Sequence, residues 1–301
     1  MDIKITIFTP TYNRAYIIDQ LYESLKRQTV HEFEWLVVDD GSVDETEKLF
    51  KTWMMENNNF SIRYYKKENG GKCQAINYGL DLAQGELFFV VDSDDYLTDD
   101  AIEKVLRWEK DLPVDDKFCG IAGNLGITNS ATPNTLFNAT YYDGTLLDRY
   151  NVIDGERALI FYTKIHRYYK YPQYEGEKFM TEAVVYNRIA NDGYKMRFYN
   201  DIICIYEYQE DGLTKAGNML FINNPRGYGL WLKEKSIYMK VTLKEKIQMY
   251  YNFSCELFEK YDVKTIAECL DVSAITIKLL LFIHRAKKLI KKNTQSIEKE
   301  I

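Results

Sequence analysis

The sequence has no CxxC pair, and its five cysteines (Cys73, Cys119, Cys204, Cys255 and Cys269) are odd in number and widely spaced. That pattern suggests neither a disulfide framework nor a zinc site, and it fits a reducing compartment. The three histidines, His31, His166 and His284, lack metal-ligand spacing. His166, in "KIHRYYKY", is expected at the surface. Net positive charge is missing too: 39 basic against 45 acidic residues leave −6, which argues against a nucleic-acid partner. No uninterrupted apolar run reaches the length of a membrane span. The opening "MDIKITIFTPTYNR" enters a strand pattern at once, without a leader pattern, so a cytoplasmic location is expected. Linkers rich in Pro, Ser or Gly, internal repeats and low-complexity tracts are absent. So are a serine nucleophile elbow and the GxxxxGK[ST] phosphate loop.

What remains is a folding chain of 301 residues, 46% hydrophobic and 28% charged, enough for one large α/β domain or one domain with a smaller appendage. Over the first hundred residues, strand and helix patterns alternate. "IKITIFT" (3–9), "EFEWLVVDD" (32–40), "SIRYYK" (61–66) and "ELFFVVD" (86–92) read as buried strands. "AYIIDQLYESLKRQ" (15–28) has helical spacing at Ile17, Leu21 and Leu25. "SVDETEKLFKTWMME" is expected to start with a capping box of Ser42 and Glu45. "GGKCQAINYGLDLAQ" reads as a glycine-led helix, and "LTDDAIEKVLRWEKD" as a helix with Thr98 as its N-cap. Such alternation implies right-handed crossovers and a mostly parallel sheet.

From about 118 to 215 the pattern loosens, with strands expected at "FCGIAGN" and "RFYNDIICIYEY" and a helix at "MTEAVVYNRIAND". After "NNPRGYG" (223–229) the chain reads as helical to its end. The last segment joins an apolar run, Leu279 to Ile283, to Arg285, Lys287, Lys288, Lys291 and Lys292. Such a basic amphipathic end either lies on an anionic membrane surface or packs on the rest of the protein with its charges solvated.

The stretch "FFVVDSDDYLTDD" (88–100) runs four apolar residues into Asp92, Asp94 and Asp95, with Ser93 between. Carboxylates this close disfavour joint ionisation unless positive charge sits among them. They either cap the next helix in a solvated loop or hold a divalent cation. Ligands of open α/β sheets bind beyond the carboxyl ends of the strands. Here "TPTYN", "VVDDGS" and "VVDSDD" all fall at such ends, which implies one polar crevice.

In order and spacing, "TPTYNR", "LVVDDGSVDET", "NGGKCQAINYGL" and "FFVVDSDD" resemble the successive motifs of the family 2 glycosyltransferases. The resemblance is close over residues 3–100 and continues more weakly through "GEKFMTEAVVYNR" and "YQEDGLT" to about 215. It implies a GT-A fold, a Rossmann-like, mostly parallel central sheet flanked by helices, here with a C-terminal helical extension. It divides the chain into a nucleotide-sugar-binding half (1–98), an acceptor-binding half (99–222) and a helical region (223–301). It also implies inverting transfer of a sugar from a nucleotide donor, usually with Mn²⁺ or Mg²⁺, to a saccharide or lipid-linked saccharide in cell-surface polysaccharide synthesis.

The resemblance implies site residues as well. Within "DSD", Asp92 and Ser93 would face the ribose or metal, Asp94 would touch the metal, and Asp95 would stand behind it. Asp40 would accept a hydrogen bond from the base, typically uracil N3–H, which points to a UDP-sugar, with Asp39 supporting it. Thr9, Pro10 and Tyr12 would line the base side, and Lys72 would reach the diphosphate from a helix start. The base for the acceptor hydroxyl would be Glu182, with Glu177 the second choice and Glu175 a third. The family often pairs Glu with Asp at this point, whereas Ala183 follows Glu182 here. Arg188 and Asp211 are further acceptor-side candidates. The competing classes are a sugar-nucleotide nucleotidyltransferase, against which the lack of glycine in "TPTYNRAYII" speaks, and a non-catalytic nucleotide- or sugar-binding protein.

Overall fold

The computed structural model describes residues 3–297 apart from 115, 116, 208, 210, 211, 213, 214 and 216. The chain divides into two compact units, residues 1–173 with 185–215, and residues 174–184 with 216–301.

The first unit is built on a nine-stranded sheet. Strands β1 (Ile5–Thr11), β2 (Phe33–Asp39), β3 (Ser61–Lys66) and β4 (Leu87–Val90) alternate with helices α1 (Asp19–Lys26), α2 (Thr46–Trp53) and α3 (Lys72–Leu82). They lie in the order β3-β2-β1-β4, all parallel. The alternation seen in the sequence therefore holds for this half. Beyond it come β5 (Tyr96–Leu97), α4 (Ala101–Lys110), β6 (Phe118–Gly126), β7 (Tyr141–Gly144), β8 (Arg157–Tyr162), α5 (Thr163–Tyr168), α6 (Ala183–Asn191) and β9 (Lys195–Ile205). Here the sheet is mixed. β8 pairs antiparallel with β4 and β6, β6 and β9 run parallel, and β5 and β7 pair antiparallel with β9.

Every residue of β2 is buried, as an interior strand covered on both faces requires. Glu34 is the exception in character, and its charge is matched. Its carboxylate accepts from Thr6 Oγ1 (2.6 Å), Gln84 N (2.8 Å) and Arg63 Nη1 (2.8 Å). One face packs α1, α2 and α4 on the sheet through Leu21, Tyr22, Phe50, Val105 and Trp108, against Ile7, Trp35 and Phe89. On β1, Phe8 meets α3 at Gly79, where a Cβ would come within 2.1 Å of the Phe8 ring.

Two helix starts differ from the sequence expectation. The residue before α2 makes no side-chain cap, so Ser42 and Glu45 form no capping box. Asp44 caps instead, accepting from Thr46 N (3.1 Å), while Ser42 Oγ accepts from Asn13 N (2.8 Å). Thr98 is not the N-cap of α4: Asp100 holds that position, and Thr98 Oγ1 donates to it (3.0 Å). Each expected hydroxyl is engaged elsewhere, Ser42 by the loop residue Asn13 and Thr98 by the N-cap Asp100 itself.

The second unit contains α7 (Asn218–Ile222), α8 (Pro225–Tyr238), α9 (Leu243–Leu257), α10 (Val263–Leu270) and α11 (Ala274–Ile297). Its core gathers Leu232, Phe253, Leu257, Ile266, Leu270 and Ile277. A capping box does occur here, between Thr242 and Glu245 at the start of α9.

Candidate functional site

Between β1 and β4 the strand order reverses direction, β2 and β3 having been added on the other side of β1. This is the switch point at which α/β sheets open a crevice. Thr11 is in register with Asp39, so β1 and β2 end level. β4 ends at Val90 opposite Phe8, so residues 91–95 leave the ladder beside the last turn of β1.

The loop after β4 turns back on itself, with Asp95 N donating to Asp92 O (3.1 Å). Lys72, the first residue of α3, places Nζ 2.8 Å from Asp92 Oδ2. Arg14, just beyond β1, sits 4.0 Å from Asp94 Oδ2. Burial and then the Asp92 charge raise the Asp94 carboxyl above its ordinary range, with Arg14 opposing. Asp95 is raised further, by burial and then by Asp92 and Asp94, and Lys72 offsets only part of this. Ser93 is buried within the same turn. The cluster is therefore short of positive charge. The structure brings Asp92, Asp94, Asp95, Lys72 and Arg14 together. Arg14 was in view in "TPTYNR" but carried no assignment there. Its signal was a cation placed directly after a strand-end motif.

The second strand end is held by backbone amides. Asp40 Oδ1 accepts from Lys67 Nζ (2.7 Å) and Gly70 N (2.9 Å), and Oδ2 from Gly71 N (2.7 Å). Gly71 has φ of +92°, a conformation that favours glycine, and it leads directly into α3. Asp40 thus shapes the glycine loop, a role absent from the sequence reading. Asp39 is fully buried, accepting from Ser42 N (2.7 Å) and from the Tyr64 hydroxyl. That contact and burial push the Tyr64 phenol upward, burial being the larger cause.

The expected base-side residues part company. Thr9 is fully buried, and its hydroxyl accepts from Trp35 Nε1 (3.0 Å). Its burial and this bond to Trp35 place it in the core behind the crevice. Pro10 is half-buried and Tyr12 is exposed. Thr11, passed over in the sequence, has a buried Oγ1 with no protein partner. Nearby, Asn13 adopts φ of +53° and its Oδ1 accepts from Val43 N (2.8 Å). A shallow open depression of about 670 Å³ is lined by Asn13, Ala15, Tyr16, Val43, Asp44 and Glu45.

The acceptor-base candidates belong to the second unit. Both oxygens of Glu177 are taken at the start of α8, by Arg226 N (2.8 Å) and Gly227 N (2.9 Å). Glu177 is a helix cap. Glu175 is exposed, and Glu182 stands half-buried immediately before α6. Arg188 lies in α6, half-buried, and Asp211 lies outside the described residues. His166 is not at the surface. It is fully buried among Phe88, Phe161 and Tyr171, and neither ring nitrogen has a partner.

The mixed α/β sheet thus carries an acidic turn and a basic helix start at its switch point. Residues 6–191 match glycosyl transferase family 2, and the chain belongs to that family. Glycosyltransferase GlyG of Streptococcus pneumoniae is 32% identical over 146 residues, which are 48% of this chain and 46% of that protein. Poly(ribitol-phosphate) beta-glucosyltransferase of Bacillus spizizenii is 28% identical over 48% of this chain and 23% of its own length. The match thus spans under half the length of these relatives. Among solved structures, residues 1–349 of S. aureus TarS in complex with UDP-GlcNAc superpose with a TM-score of 0.61 at 17% identity, covering 95% of this chain and 92% of that one. A mannosyltransferase, PcManGT from Pyrobaculum calidifontis, in complex with GDP-Man and Mn²⁺, gives 0.55 at 18% identity, over 96% and 81%. These likenesses extend the fold across nearly the whole chain. No helix among the described residues is long and apolar enough to cross a membrane.

Proposed function

We propose that the chain transfers a sugar, with inversion, from a nucleotide-sugar, taken to be a UDP-sugar, to a hydroxyl of a saccharide or lipid-linked saccharide. The setting would be cell-surface polysaccharide synthesis at the cytoplasmic face of the membrane. The observation that carries this reading is the charge arrangement at the switch point. Three crowded carboxylates face a lysine at a helix start and an arginine at a strand end.

The donor set fits a hard divalent cation such as Mn²⁺ or Mg²⁺, because it is all oxygen and short of positive charge. Asp94 and Asp92 would hold it, with Asp95 behind them. Among the described residues no group of three His, Cys, Asp or Glu side chains is arranged to hold a metal, so such a cation would depend on substrate oxygens as well. When bound, it would offset charge on the departing diphosphate.

The chain's own residues supply the rest. Lys72 and the amide end of α3 would steady the diphosphate. Asp40 has used both acceptor positions of Oδ1 and one of Oδ2, which leaves one for a base N–H. Asp39 would brace it, and the Thr11 hydroxyl, Pro10 and Tyr12 would border the base. Glu182 would take the proton of the attacking hydroxyl. The acceptor oxygen then bonds to the sugar C1, and the bond from C1 to the phosphate oxygen breaks. Nucleoside diphosphate leaves with that electron pair. In this scheme residues 1–98 serve the donor, 99–222 the acceptor and 223–301 form the helical extension.

The test is calorimetric titration of UDP, GDP and dTDP, each with and without Mn²⁺, in the wild type and in Asp94→Ala. Metal-dependent UDP binding that disappears in Asp94→Ala is expected. Release of free nucleoside diphosphate supports transfer. Pyrophosphate would mean nucleotidyl transfer, and binding without turnover would mean a binding protein.

A further inference from the structure

Helix α11 is apolar on two opposite faces. Ile277, Leu280 and Leu281 face the core of the second unit. Ile275, Leu279, Phe282 and Ile283 are exposed, at 77, 59, 68 and 38%. The exposed set falls at i, i+4, i+7 and i+8, which is one continuous helical stripe. On a helix of 3.6 residues per turn, that stripe lies opposite Ile277.

An apolar stripe turned to water is anomalous unless something covers it. The helix is too polar in its later turns to span a bilayer. Its charges are of one sign. From Ala274 to Ile297 the sequence contains no aspartate or glutamate. Lys278 and Arg285 border the stripe on one side. Lys287 borders it on the other, with its ammonium 4.9 Å from the Tyr251 ring centroid. Cations on both margins of a narrow apolar band match a surface with an apolar interior and anionic headgroups.

We infer that the Ile275–Leu279–Phe282–Ile283 stripe of α11 seats the protein on an anionic lipid bilayer, with Lys278, Arg285 and Lys287 at the headgroup level. This deepens the proposed function, since a lipid-linked acceptor would be presented at that surface, and it rests on that reading only for its biological purpose. Long basic side chains keep their charges among headgroups while the apolar residues enter the acyl boundary.

Co-sedimentation of the full chain with phosphatidylcholine vesicles, with and without phosphatidylglycerol, tests it. The wild type is expected to bind only the vesicles containing phosphatidylglycerol. Leu279→Ser with Phe282→Ser, and separately Lys278→Glu with Arg285→Glu, are each expected to weaken that binding at least about tenfold. Because these side chains are exposed, the thermal midpoint and UDP binding should stay at wild-type values. UDP binding therefore separates failure here from failure of the transferase reading. No binding to anionic vesicles, or binding unchanged in both variants, overturns the inference. So does a concentration-dependent dimer that Leu279→Ser with Phe282→Ser dissolves, because the stripe would then be covered by a second copy of the chain.

Discussion

The Lys72 ammonium stands 2.8 Å from the Asp92 carboxylate, joining the first residue of α3 to the acidic turn after β4. Two segments twenty residues apart thereby converge on one point of the crevice. If Lys72 steadies a diphosphate there, Lys72→Met should weaken UDP binding about tenfold or more, the usual effect of losing a charge-assisted hydrogen bond. Uridine, which has no phosphate, should bind as before. Equal loss for uridine and UDP in calorimetry would assign Lys72 a purely structural role.

Asp40 accepts from three donors, two of them the amides of Gly70 and Gly71. In Asp40→Asn, one of these donors must face an NH₂ group, leaving a half-buried donor unsatisfied at a cost of about 1–3 kcal/mol. The denaturant midpoint should fall accordingly. If loop shaping dominates, UDP, GDP and dTDP will all bind less well. Loss confined to UDP and dTDP, both of which carry a base N3–H, would place base reading first.

Glu182 and Glu177 should respond differently to the same change. Glu182→Gln removes the proposed base, so transfer should drop at least about a hundredfold while donor binding persists. Normal turnover would remove Glu182 from the mechanism. Glu177→Gln leaves α8 with a weaker cap, so it should lower stability by about 1 kcal/mol and leave the turnover number unchanged.

His166 makes stability depend on pH. Burial, with a smaller contribution from Lys170, lowers its pKa to about 3. The folded protein therefore keeps the ring neutral while the unfolded chain protonates it below about pH 6.5. The stabilisation is complete above that value and declines as pH falls toward 3. Between pH 7.5 and 5 this group alone should remove about 2 kcal/mol. In His166→Leu the loss over that interval, measured by urea unfolding, should shrink by that amount. An unchanged slope would show that the ring titrates normally in the fold.

The strand ends were the legible part of the site. Apolar runs that stop on Asp39–Asp40 and on Asp92 mark both the strands and the crevice, because buried strands must be apolar and ligands meet their ends. Lys67 and Thr11 were not legible as site residues. A single cation in a loop, or one hydroxyl at the end of a strand, carries no periodic signal. Thr9 and Thr11 share one face of β1, and only the structure shows that Thr9 is sealed against Trp35 while Thr11 sits at the strand's end. The short strands β5, β7 and β8 also escaped, being held by pairing with β9, β6 and β4 more than by local pattern.

The sequence by itself determined the parallel half of the sheet, the family motifs and the helical C-terminal part. All three rest on local periodicity or on short stretches of fixed order. Only the tertiary structure decided which acids crowd together, which glutamate is spent on a helix cap, and that His166 is buried. It alone also showed that one apolar stripe of α11 faces water. Those outcomes depend on neighbours distant in the chain, and burial, charge pairing and hydrogen-bond capture are set by what the fold brings alongside.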